Sequence, residues 1–435
     1  MTHSRHGGEF AVDVPALARV EGEGGLRVEV RDGAVTDVAL RIFEPPRFFE
    51  GFLRGRRFEE VPDITARICG ICPVAYQMSA CAAIEDAFGV AVDERVGALR
   101  RLLYCGEWIQ SHALHVYLLH APDFFGCADA VELAQLDRAA VTRGLELKRV
   151  GNLLMEAVGG RSIHPVNVRV GGFYKAPRRE DLRALLEPLR QALGASLATA
   201  EWVASFDYPD VDGDYHFVAL RPDGTYPIDS GPVASSHGLE TTPAGFAELV
   251  VEEHVERSTA LHARLAGRDT YLTGPLARYA LNSAKLPELA REAAAAAGLG
   301  PVCTNPFQSI AVRAVELVFA CHEAIRIIES YEPPEPPASA VSPVAGSGAG
   351  ATEAPRGLLL HRYGFDADGL VREARIVPPT SQNQLTIEDD LRRVVTSYVD
   401  AGLDELTARC EQAVRNHDPC ISCAAHFLDV DVERS

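Results

Sequence analysis

The chain has 435 residues, 47% hydrophobic and 24% charged, with 27 Pro and 36 Gly, a composition that supports a large core and excludes a disordered protein. Its 61 acidic and 42 basic residues leave a net charge of −19, and without any long Lys/Arg run nucleic acid is excluded as the expected partner. Ten scattered cysteines in so long a chain point to reduced thiols in a cytoplasmic setting rather than to a disulfide scaffold.

The N-terminus, MTHSRHGGEFAVDV, has no apolar h-region behind a basic segment, and no uninterrupted apolar run of about 18 residues follows, so neither an export signal nor a membrane span is expected. Apolar residues over Leu26 to Val30 and Val35 to Ile42 flank Asp32-Gly33, the dipeptide of a tight hairpin, and predict a small antiparallel sheet. The RICGIC segment then brings Cys69 and Cys72. Apolar residues recurring at three and four positions predict buried helices over Pro73 to Phe88, Glu94 to Leu119 and Ala130 to Val158. Further helices are predicted over Arg179 to Ala204, Pro243 to Leu265, Pro306 to Ser330 and Glu388 to Arg415. The Pro- and Gly-rich stretch Pro333 to Gly350 reads as a linker. The fold class is therefore mainly α with small β elements (α+β), an N-terminal antiparallel sheet leading into a helical core. Division by about 150 residues per domain suggests three units, but a second Cys pair, Cys420 and Cys423 in DPCISC, argues for one domain over residues 1–435.

Cysteines at i and i+3 point two sulfurs at one ion, and thiolate sulfur selects zinc, nickel or iron. The spacing alone leaves these metals open, and a structural zinc site with four cysteine ligands is the plain alternative. The other cysteines (Cys81, Cys105, Cys127, Cys303, Cys321, Cys410) lack paired spacing and read as small apolar residues. His112, His115 and His120 read as packing groups on a helix, not as ligands.

RICGIC together with DPCISCAAHFL resembles the paired signatures of the large, catalytic subunit of nickel-iron hydrogenases, and ARVEGEGG, FFEGFLRG, GGRSIHPVNVRVGGF, NPFQSI and EAPRG fall in that family's order over nearly the whole chain. The resemblance implies that Cys69 and Cys420 are terminal nickel ligands and that Cys72 and Cys423 bridge nickel to an iron carrying carbon monoxide and two cyanides, Fe(CN)2(CO). It implies Glu50 and His426 as ligands of a buried Mg2+, Glu21 as the acid that relays protons from Cys420, and Arg356, bonded to Asp418, as the cation over the open face. Arg67 would add positive charge beside the thiolates. The implied activity is reversible heterolytic cleavage of H2 to protons and electrons.

Tyr76 stands where many family members have His, and Ser111 where membrane-associated members place Asp. Both look more like the cytoplasmic, NAD(P)-linked, sulfhydrogenase-type branch. Because the chain has neither a ferredoxin-like Cys run nor a Gly-x-Gly-x-x-Gly segment opening a helix, electrons would leave through an iron-sulfur small subunit. Flavin and NAD(P) diaphorase subunits would follow, so that iron-sulfur clusters and flavin reside on partners only. The resemblance also implies a maturation chaperone and an endopeptidase removing residues 427–435. A complex I-like, non-hydrogenase subunit is a further alternative, disfavoured because those relatives lack the cysteine pairs.

Overall fold

The computed structural model describes residues 9–267 and 270–425. Strands Phe10–Val14, Gly24–Arg31 and Ala34–Ile42 form an antiparallel sheet in chain order. Asp32 and Gly33 turn it at φ 51° and 74°, the left-handed pair that Asp-Gly accepts at little cost. The inner face of this sheet, including Val12, Leu26, Val28 and Leu40, shares a core with Ile387, Leu391, Leu406 and Val414 from two C-terminal helices.

A larger core lies among helices Pro73–Phe88, Glu94–Leu114, Arg138–Gly159, Leu186–Ala204 and Ser309–Ser330. The second cysteine pair sits on the seam between the two cores. Cys420 and Cys423 belong to the helical core, while Ile421, Ala424 and Ala425 belong to the core under the N-terminal sheet. Packing on both sides thus fixes a segment that has only one short helix, Ile421–Ala424.

Several predicted helices end earlier than periodicity suggests. The helix predicted to run from Pro243 to Leu265 stops at Leu249, and Val250–Val255 pairs with Ser258–Leu265 as a hairpin. The β-branched residues of VVEEHV favour that outcome over helix. Asp137 divides the Ala130 to Val158 stretch by capping the Ala140 N–H, and the Glu388 to Arg415 stretch separates into Pro379–Ser397 and Leu403–Asn416 with Gly402 at the break. Beyond Leu114 the chain continues as one π-helical segment, His115–His120.

The end of the predicted linker is not a linker. Gly346–Ala354 forms a strand that pairs with Gly357–Phe365, which in turn pairs with Val371–Val377. This strand lies against the Pro73–Phe88 helix so closely that a Cβ on Gly348 would meet the Ala87 nitrogen at 2.3 Å, and one on Gly350 the Ala83 nitrogen at 2.5 Å. Glycine here permits backbone-to-backbone packing, which composition alone reads as a loop signal.

Candidate metal centre

Cys69 follows the 3-10 turn Ala66–Ile68, and Cys72 immediately precedes the Pro73–Phe88 helix. Pro73 suits a first helical turn because its missing N–H would have no intrahelical acceptor there. The next two amides are satisfied from a neighbouring helix: Val74 N–H and Ala75 N–H donate to the Glu107 carboxylate at 2.6 and 3.1 Å. Glu107 is fully buried, and burial pushes its pKa well above the usual carboxylate range. Gln110, one turn on, donates to Ile71 O at 2.6 Å. Two polar side chains of the Glu94–Leu114 helix therefore hold the first cysteine loop.

The second loop is held by the N-terminal segment. Ile421 N–H donates to Glu21 O at 2.9 Å, and Cys420 N–H to Thr380 Oγ1 at 2.9 Å. Arg47 then links the two loops: its Nη2 donates to Ile68 O at 2.8 Å and also to Ser422 O, while its main-chain N–H donates to Ala425 O at 3.0 Å.

These supports bring the Sγ atoms of Cys69, Cys72, Cys420 and Cys423 within 4.8 Å of one another, all buried, as the only such group of potential ligands among the described residues. Cys69 and Cys420 sulfurs are 3.5 Å apart. The Cys420 sulfur first, then those of Cys423 and Cys72, lower the Cys69 pKa well below an ordinary thiol, whereas burial and the neighbouring sulfurs push Cys420 well up. A bound cation would stabilise all four as thiolates.

Arg356 and Asp418 lie beside the sulfurs, both buried. Arg356 Nε donates to Asp418 O at 2.9 Å and Nη2 to its Oδ1 at 3.2 Å. Burial opposes the guanidinium charge, but Asp418 and the sulfurs of Cys420, Cys72 and Cys69 outweigh it and hold Arg356 cationic. Asp418 itself sits at φ 51°, a strained conformation for a residue before proline. Arg356 Nη1 and Asp418 Oδ2 are buried without hydrogen-bond partners. A soft four-sulfur donor set with unpaired polar atoms around it fits a thiolate-bound metal group that takes a small substrate.

Cys420 Sγ donates to Glu21 Oε2 at 3.1 Å, and the same oxygen accepts Ser422 N–H at 3.1 Å. Ser422 Oγ donates to Glu44 Oε2 at 2.9 Å, so a second carboxylate lies one hydroxyl beyond Glu21. The Tyr76 hydroxyl lies beside the sulfurs of Cys423 and Cys72; burial and those sulfurs raise its pKa well above that of a free phenol.

Not every sequence expectation places a residue here. Arg67 is exposed and lies 3.8 Å from Asp63, so it does not face the sulfurs; the 3-10 turn directs it to solvent. Glu50 is half-buried and accepts Ile376 N–H at 2.6 Å, while His426 and residues 427–435 lie outside the described residues. His112 has its Nε2 2.9 Å from Glu316 Oε2 and His115 Nε2 is 2.8 Å from Arg415 O. Burial brings His112 down to about 4 and His120 to about 3, leaving both neutral packing groups. Sequence reasoning missed Arg47, Glu44, Glu107 and Gln110. Only Glu107 carried a signal, a lone carboxylate inside an apolar helical stretch.

Residues 47–146 match the family model described as nickel-dependent hydrogenase. The chain is 34% identical over 421 residues to sulfhydrogenase 1 subunit alpha of Pyrococcus furiosus, covering 96% of this chain and 98% of that relative. It is 32% identical over 431 residues to sulfhydrogenase 2 subunit alpha of the same organism, covering 96% and 99%. Among solved structures it resembles an NAD+-reducing [NiFe]-hydrogenase in the H2-reduced state, at 25% identity and a TM-score of 0.84 over 98% of this chain and 100% of that one. With a nickel-iron centre thereby implied for the four-sulfur cage, the plain zinc scaffold is not favoured. The chain belongs to the nickel-dependent hydrogenase family, as the catalytic large subunit of an oxidoreductase acting on H2.

Proposed function

We propose that this subunit splits H2 heterolytically and reversibly, passing electrons through an iron-sulfur small subunit and flavin-bearing partners to NAD(P) in the cytoplasm. The observation that carries the reading is the buried cage of four sulfurs within 4.8 Å, with Arg356 and Asp418 beside it and Glu21 against Cys420. Cys69, Cys72, Cys420 and Cys423 would hold the nickel, with Cys72 and Cys423 also holding an iron in the form Fe(CN)2(CO). When bound, this group supplies Lewis acidity and redox capacity at the point where hydrogen is divided.

The chain's residues then handle charge. Cys420 accepts the proton on sulfur and gives it to Glu21 across 3.1 Å. Ser422 Oγ and Glu44 offer the next steps outward. Arg356, fixed at two points by Asp418, presents a permanent cation and an unpaired Nη1 where charge separates. Burial of all four sulfurs excludes water from the exchange.

Glu50 and His426 remain proposed Mg2+ ligands; the main chain at Ala425 lies against Arg47, close in sequence to Glu50. Residues 427–435 are proposed to be removed by an endopeptidase once a chaperone has assisted metal insertion. Among the described residues no helix is long and apolar enough to cross a membrane.

The test is nickel and iron analysis of the purified complex, infrared detection of the iron's diatomic ligands, and H2-dependent reduction of NAD+ and NADP+. One zinc without nickel would overturn the assignment. Full nickel loading with no reduction of either nucleotide would overturn the electron route alone.

A further inference from the structure

The segment carrying Arg356 is held by a second arginine that the proposed chemistry does not use. Arg278, in helix Pro275–Asn282, is completely buried. Its Nε and Nη2 donate to the two Glu316 oxygens, each at 2.7 Å. Its remaining reach goes to three consecutive residues: Nη1 donates to Glu353 Oε2 at 3.1 Å and Ala354 O at 2.9 Å, and Nη2 to Pro355 O at 2.9 Å. The next residue is Arg356. Trp108 lies under the guanidinium, 4.5 Å from ring centroid to its carbon, and donates its indole N–H to Glu353 O at 3.0 Å.

The same helix touches Arg356 at its other end. Gly274 precedes the helix at φ 115°, and a Cβ there would lie 2.7 Å from Arg356 O; Gly357, at φ 141°, abuts Gly274 in return. The main chain of residues 354–357 is therefore gripped from both sides, by close packing at Gly274 and by a planar fork of donors at Arg278. A buried ion pair is by itself weak evidence of added stability, because desolvation offsets much of the attraction. What distinguishes this one is where its spare donors go. A guanidinium presents five N–H groups in one fixed plane, and here two of its nitrogens bond the carbonyls immediately before the arginine beside the metal cage.

We infer that Arg278 is a positioning residue for Arg356: by holding the Ala354 and Pro355 carbonyls it fixes the main chain from which Arg356 reaches Asp418 and the sulfurs. The inference rests on the role proposed above for Arg356. Lysine at 278 keeps the positive charge opposite Glu316 but lacks the fork, so the charge balance survives while the carbonyl grip is lost.

The experiment uses the assembled, metal-loaded enzyme with Arg278→Lys, Arg356→Lys, the double variant and Trp108→Phe. Small misplacements of a reacting group cost up to about 100-fold, so Arg278→Lys is expected to lower kcat for H2 oxidation by about 10- to 100-fold with KM for H2 changed by less than about twofold. In the Arg356→Lys background the same substitution is expected to add less than about threefold, since the residue it positions has already been changed. Amide exchange followed by mass spectrometry on metal-free chain is expected to rise over residues 353–358 and to stay unchanged in the Pro73–Phe88 helix.

Full multiplicative losses in the double variant, or parental kcat in folded, loaded Arg278→Lys, overturn the inference. If Arg278→Lys does not fold, Trp108→Phe carries the test: it removes one bond to Glu353 O, and a smaller kcat loss that vanishes in the Arg356→Lys background supports the inference, whereas parental kcat overturns it. Parental kcat in Arg356→Lys removes the underlying reading and the inference with it.

Discussion

Replacing Glu21 by Gln isolates proton transfer from metal binding. In the parent, one oxygen, Oε2, accepts both Cys420 S–H and Ser422 N–H at 3.1 Å. Glutamine has the same length, its amide oxygen can still accept Ser422 N–H, and the main-chain bond from Ile421 N–H to residue 21 is untouched. The second cysteine loop therefore keeps its support, and stability is expected to change by less than about 1 kcal/mol. The amide cannot take up a proton. Losing one general base within hydrogen-bond reach removes about 10²- to 10⁴-fold in rate, or about 3–5 kcal/mol of barrier. Turnover with H2 and a dye acceptor should fall by that factor. Exchange between H2 and D2O should fall equally, because the proton must still leave Cys420. Conversion of para- to ortho-hydrogen, which needs splitting and recombination but no proton exit, should continue near the parental rate. Parental H2/D2O exchange in a fully loaded Glu21→Gln enzyme would refute the route through Glu21. Loss of spin conversion as well would show that the substitution had disturbed the cage itself.

Glu107→Ala leaves two buried N–H groups, Val74 and Ala75, without acceptors, at about 1–3 kcal/mol each, so a loss of about 2–6 kcal/mol is expected in denaturant unfolding of the metal-free chain. Tyr76→Phe removes one hydroxyl beside Cys423 and keeps the ring, so it should alter stability by no more than about 1 kcal/mol and shift the infrared bands of the iron ligands. Cys423→Ser should abolish nickel retention measured by elemental analysis after chelator treatment, whereas Cys321→Ser, outside the four-sulfur group, should retain it. His120 is held neutral by burial to about 3, below its ordinary value of 6.5, so the unfolded chain binds a proton that the folded chain does not as pH falls through 6.5. Its contribution therefore lowers stability on acidification, by about 1.4 kcal/mol per pH unit. Unfolding free energies at pH 5.5 and 4.5, both below the unfolded value, should differ less in His120→Asn by about that amount.

How much could be read in advance differs by residue type. Cys69, Cys72, Cys420 and Cys423 were legible because thiolate pairs at i and i+3 have a restricted chemistry, and Asp32-Gly33 because few dipeptides tolerate its dihedral angles. Glu21, Arg356 and Asp418 were legible only through motif resemblance: an isolated Glu or Arg in a loop carries no sign of what it faces. Arg47 and Arg278 gave none at all, since each acts on main-chain carbonyls far away in sequence, at Ile68, Ser422, Ala354 and Pro355. The glycines at 348 and 350 misled for a related reason. Flexibility is a local property of glycine, whereas the absence of a side chain matters only when another backbone arrives, here that of Ala83 and Ala87.

Ligand chemistry and the alternation of apolar residues that builds sheet and helices follow from residue type and from spacing along one stretch of chain. Tertiary structure decided which loops meet and how rigidly. Two cores packing on opposite faces of residues 420–425, with Arg47 bonded across the gap, turn two remote cysteine pairs into one cage. That convergence depends on contacts between segments hundreds of residues apart, which no local periodicity encodes.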